Sequence, residues 1–121
     1  MPLNRAEIIT ADTAGRKIKH VPVPQWGGDV CVRPLTVREE ERFWEVIDDV
    51  KNGVECPTGK RGAVVLMAAC NEDGTALFTA ADADWLGSSA NKDAISLLFD
   101  EIRALSGVSP EAQAEIEKKP D

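Results

Sequence analysis

Tyrosine is absent from this chain, histidine occurs once, and no apolar run approaches the roughly 20 residues that a membrane-spanning helix needs. The lone His20 leaves little room for imidazole chemistry. A Ser-His-Asp triad would set it against a serine in a nucleophile elbow, and no such elbow is present. His20 therefore reads as a strand-surface imidazole. Cysteine is scarce and oddly counted: Cys31, Cys56 and Cys70 match neither a disulfide framework nor the paired Cys-x-x-Cys spacing of a zinc site. Cys31 and Cys70 fall in apolar stretches and read as small buried groups, whereas Cys56 sits in a loop and is the thiol expected at the surface. Positive charge is also in deficit. Fourteen Lys and Arg against 21 Asp and Glu give a net charge of −7, which argues against a protein that displaces counterions along a phosphate backbone. The N-terminal Met1-Pro2-Leu3-Asn4-Arg5 lacks the apolar core of a signal peptide, so a cytoplasmic protein is expected.

Several segments imitate catalytic or metal-binding motifs and fail in detail. The segment from Gly53 to Arg61 resembles a phosphate loop, but five residues separate its glycines instead of four, and Arg61 stands where a Ser or Thr must meet magnesium. Counting a calcium loop from Asn71 brings Asp82 to position twelve and puts Leu77 among the ligand positions. Asp82 and Asp84 are two apart on a helix, so they point in different directions and form no acid/base dyad. No metal, no cofactor and no enzymatic activity are expected.

What is present is ordinary for one globular domain. With 121 residues, 43% hydrophobic and 29% charged, the chain can bury roughly two-thirds of its unfolded surface. Asn4-Arg5-Ala6-Glu7 has the form of a capping box, which predicts a short helix over 5–11 within an N-terminal arm, 1–16. Val21 and Val23, then Val30 and Val32, alternate as half-buried strands do, around a turn at Pro24-Gln25-Trp26-Gly27-Gly28. A β-hairpin over about 17–34 follows. The basic stretch Arg16-Lys17-Ile18-Lys19-His20 reads as a strand edge guarded by lysine.

Thr36-Val37-Arg38-Glu39 is a second capping box, opening a helix from Val37 to Lys51 with Phe43, Val46, Ile47 and Val50 on its apolar stripe. Ala63 to Cys70 is uninterrupted apolar sequence and is assigned to a buried helix on its alanines and methionine. Thr79 caps a brief helix that Gly87 ends. The clearest helix spans Ala90 to Leu105, with Ile95, Leu98, Phe99 and Ile102 on one face and Gly107 as its left-handed stop. A last helix opening at Ser109-Pro110-Glu111 is expected to fray, leaving 108–121 as a tail. The fold class is α+β: an N-terminal hairpin packed on a bundle of four to five helices, in a single domain over 1–121.

Trp26, Trp44 and Trp85 with Phe43, Phe78 and Phe99 carry all the aromatic surface. Phe43 and Phe99 sit on apolar stripes and belong to the core, while Trp44 lies one position off its stripe. Trp26, at a turn beside two glycines, either folds back onto the domain or serves as a binding anchor, a role in which tryptophan is enriched.

The pattern Val21-x-Val23-Pro24-x-Trp26-Gly27-Gly28-x-Val30-x-Val32-Arg33, followed by Leu35-Thr36-x-x-Glu39, resembles the tail assembly chaperones of long-tailed bacteriophages. Gln25 replaces the glutamate usual in that family. The resemblance continues through Asp73 to Thr79, a residue or two shorter than the family's segment. It extends over Asp82 to Gly87, the helix of Ile95 to Ile102, and Leu105-Ser106-Gly107. It implies a holding protein of the host bacterial cytoplasm that binds the tape measure protein, aids tail tube assembly together with the tail tube protein, and leaves before the virion is complete. The resemblance also implies self-association into a homo-oligomer, with no nucleic acid or membrane partner. Trp26, Gly27, Gly28, Trp44 and Trp85 are the candidate partner-binding residues. The alternative is a small structural tail or connector subunit retained in the virion. A regulatory protein with an acidic decoy surface is a third.

Overall fold

The computed structural model describes residues 2–15 and 17–107. The first helix, α1 (Arg5–Ala14), starts as its capping box dictates. The Glu7 N–H donates to the Asn4 side chain at 2.8 Å, and the Asn4 N–H donates to the Glu7 carboxylate at 2.9 Å. It runs three residues beyond the expected 5–11, because no breaker intervenes before Gly15, whose N–H closes on the Ala11 carbonyl. Ile8 and Ile9 on this helix are exposed.

Strands β1 (Lys19–Val23) and β2 (Gly28–Val32) pair antiparallel, with Val21 opposite Val30 and Lys19 opposite Val32. Val21, Val23 and Val32 are buried. β1 is the edge of the sheet, where Pro22, which has no N–H to give a ladder, is tolerated. Lys19 on that edge pairs with Glu101 at 2.6 Å, and His20 lies exposed, 3.6 Å from Glu72.

Helix α2 (Val37–Lys51) begins at the Thr36 capping box and buries Phe43, Val46 and Ile47, with Val50 left at the exposed margin. Helix α3 (Gly59–Ala68) follows, and here the sequence expectation needs correction. The apolar run does not stay helical to Cys70. Ala69 turns extended, at φ −69° and ψ 133°, and Ala69–Cys70 form a third strand, β3, with Val32 opposite Ala69 and Cys31 opposite Cys70. The cause lies in the far edge of β2, whose backbone groups need partners once packing has taken them from water. The ladder continues past β2, where the Arg33 N–H reaches the Ala68 carbonyl at 3.1 Å.

A one-turn 3-10 helix at Ala80–Asp82 leads into α4 (Ala83–Ser88), and α5 (Lys92–Leu105) completes the described fold. Gly87 does not end α4 by a left-handed turn. It lies inside the helix, in close approach to the Pro57 carbonyl. Helix α5 packs on α3 and on both β1 and β2, which places Ala94, Ile95, Leu98, Phe99 and Ile102 in the core. Gly107, at φ 79°, follows α5 as expected. The helix expected from Ser109 and the tail over 108–121 lie outside the described residues. The architecture is α+β: a three-stranded antiparallel sheet in order β1-β2-β3 beside five α-helices among the described residues.

Arg33 ties these elements together. Its guanidinium donates twice to the Glu39 carboxylate, both at 2.7 Å, and also to the carbonyls of Pro34 and Met67. Partial burial pushes the Glu39 carboxyl up, but the Arg33 and Thr36 hydrogen bonds outweigh it and hold the group below the usual glutamate range. A carboxyl whose folded pKa lies below its unfolded value stabilises fully above that unfolded value, about 4.3 for glutamate, and the contribution disappears as pH falls through the depressed folded value. Stability measured from pH 6 to pH 2 should therefore decline less steeply below about pH 4.3 in Glu39→Gln than in the parent. Parallel acid limbs in the two proteins would refute the assignment.

Candidate partner-binding surface

The turn between β1 and β2 is a single 3-10 turn, Pro24–Trp26, with proline at its first position. Gly27 follows at φ 72°, a left-handed conformation that a side chain would strain, and its N–H closes on the carbonyls of Val23 and Pro24. Gly28 opens β2 opposite Val23. The two glycines thus shape the turn that aims Trp26. Trp26 is half-buried and packs against the core, and its ring centroid lies 6.3 Å from that of Trp85 on α4.

Trp85 is placed by a separate set of interactions. The Thr79 N–H donates to the Asp82 carboxylate at 2.8 Å, fixing the approach to α4, and Phe78 immediately before it stands 6.3 Å from Trp85. Trp85 therefore lies between two other rings, yet remains 45% exposed, with Leu77 also 41% exposed. Ring pairs at 4.5–7 Å add stability beyond their area, so the cluster is a firm surface and not a set of loose side chains. Trp44 is elsewhere in the network: it packs on Phe43, at 5.1 Å between centroids. Of the five candidate residues, the structure brings Trp26 and Trp85 together, with Gly27 and Gly28 beside Trp26 in the turn, and leaves Trp44 apart. Phe78 joins the surface without having been a candidate partner-binding residue from sequence. Its place directly before the Thr79 cap was the available signal.

Reactive groups are differently arranged. Cys31 and Cys70 face each other across β2 and β3, both buried, and burial pushes both thiols above the ordinary range. Cys56 is half-buried, with its sulfur 3.4 Å from the Thr58 hydroxyl. Among the described residues, no three His, Cys, Asp or Glu side chains converge as a metal site would require. Among the same residues, no helix is long and apolar enough to cross a membrane.

No family model matches the chain, and neither does any curated protein. Among solved structures it is similar to the bacteriophage HK97 tail assembly chaperone, with a TM-score of 0.60 and 18% sequence identity over 83% of this chain and 94% of that one. At that identity the likeness is one of fold alone: the two chains share an architecture.

Proposed function

We propose that the protein is a phage tail assembly chaperone, which keeps the tape measure protein soluble through an aromatic surface and aids tail tube assembly without remaining in the particle. One observation carries the reading: on a fold shared with such a chaperone, Trp85 stands exposed between Trp26 and Phe78. Large rings of this kind bury 150–250 Å² each and are over-represented where binding energy concentrates. An unfolded or partly folded client offers scattered apolar side chains, each held weakly. Self-association would multiply such contacts, converting several weak sites into effective retention. The reading is of a binding protein acting in the host cytoplasm, with the tape measure and tail tube proteins as partners, and it uses no catalytic step.

The separating variant is Trp85→Ala. Trp26→Ala removes a ring packed on the core and would mix folding with binding. Trp85 is 45% exposed but stands against two rings, so its loss should cost about 1–3 kcal/mol, less than removal of a core aromatic, and leave the domain folded. Retention of co-expressed tape measure segments should fall at least tenfold, equivalent to about 1.4 kcal/mol. A variant that folds normally and holds those segments as the parent does would defeat the proposal. Recovery of the protein in purified virions would favour the structural-subunit reading instead.

A further inference from the structure

A second surface, sharing no residue with the aromatic one, lies beside α4. Leu86, Gly87 and Ser88 border a cleft of about 650 Å³ that runs between the start of α3 and the length of α5. Its charge is opposite to that of the chain. Lys60, Arg61, Lys92 and Arg103 line it against a single carboxylate, Asp100, although the protein carries a net charge of −7. Lys60, Arg61 and Lys92 form no ion pair among the described residues. Arg103 is oriented by Asp100 at 3.1 Å and by the Phe99 ring, 5.3 Å below its guanidinium.

Folding does not account for three of these cations. Lys60 and Arg61 occupy the first turn of α3, and Lys92 the first position of α5, where the helix macrodipole disfavours positive charge. The first turn of α3 has no acidic residue, and the Thr58 hydroxyl turns to the Gly59 carbonyl without capping the helix amides. Four cations are thus gathered around one cleft, three of them at positions that weaken their own helices. A local conflict of this sort is characteristic of a site kept for binding.

We propose that this cleft docks an acidic segment of a partner protein, whose carboxylates meet Lys60, Arg61, Lys92 and Arg103. A nucleic acid fits less well. Its phosphates continue past the four cations of the cleft and are opposed by the net charge of −7, whereas a short peptide carries its charge only where the cations are.

The test is fluorescence anisotropy of the full chain with three labelled probes of equal length: an amphipathic Glu/Leu peptide, its Lys/Leu counterpart, and a single-stranded oligonucleotide. The Glu/Leu peptide should bind at least tenfold more tightly than either other probe, and raising NaCl from 50 to 500 mM should weaken it. Lys60→Glu with Arg61→Glu, and separately Lys92→Glu, should each weaken it at least tenfold. Both variants place carboxylates where helix N-termini favour them, so their melting temperatures should equal or exceed the parent's, which separates lost binding from lost folding. Unchanged affinity in these variants overturns the proposal. So does tighter binding of the oligonucleotide or the Lys/Leu peptide. Trp85→Ala should leave Glu/Leu binding intact, so failure of the aromatic reading and failure of this one are distinguishable.

Discussion

Replacing Gly87 by alanine is expected to destabilise the protein by more than about 3 kcal/mol, the upper range for overpacking a filled interior. Helix propensity alone gives the opposite sign, since alanine is better than glycine inside a helix by about 1 kcal/mol. Geometry decides against it. A Cβ at this position would overlap the Pro57 carbonyl oxygen and lie 2.7 Å from its carbon and 3.0 Å from the carbonyl carbon of Thr58. All three are backbone atoms of the segment entering α3, so no side-chain rotation relieves the clash. Relief requires α4 to move away from residues 57–58, taking with it Leu86, which is buried in the core. The same movement would disturb both candidate surfaces, because α4 carries Trp85 on one and borders the basic cleft with Leu86 to Ser88. Urea denaturation of Gly87→Ala measures the loss. A midpoint within the range of about 1 kcal/mol of the parent would mean that the close approach is not a property of the folded protein.

Gly87 also marks where local sequence signals stop being sufficient. A glycine near the end of a short helix reads as a stop, and Gly53 and Gly107 do follow helices in left-handed conformations. At Gly87 the same residue serves a contact with a segment 30 positions earlier, which no local pattern encodes. The break at Ala69 was hidden for a related reason. A run buried on every side has no period, so the point where helix yields to strand depends on whether β2 needs a partner there. By contrast, α2 and α5 were legible, because Thr36 and Glu39 announce one start and both helices carry an apolar stripe against a polar face. The hairpin was legible too, from its alternating valines and its Gly-rich turn.

The candidate surfaces were only half visible. Trp26 and Trp85 could each be noted as aromatic residues at polar positions, but their meeting depends on tertiary packing that brings residues 59 positions apart within 6.3 Å. Lys60 and Arg61 drew notice as part of a defective phosphate loop. Their association with Lys92 and Arg103 appears only when α3 and α5 pack together. In both cases the sequence identifies the chemistry of single residues, and the tertiary packing decides which of them act as a group.

Phe99→Ala is expected to cost about 3–5 kcal/mol, a large share of the stability of a domain this size. Phe99 is on the inward face of α5, 4% exposed, with its ring 6.1 Å from that of Phe43 on α2 and the Arg103 guanidinium above it. Removing it leaves a cavity between two helices whose other core residues, Ile47, Leu98 and Ile102, are fixed by their own packing and cannot close the gap. The contact with Phe43 provides an internal check. If the rings act as a pair, the Phe43→Ala/Phe99→Ala double variant should be less destabilised than the sum of the single variants by about 0.5–1.5 kcal/mol. Additivity would mean that each ring packs separately. A single-variant loss below about 1 kcal/mol would mean that this face of α5 is not core at all but a surface awaiting a partner.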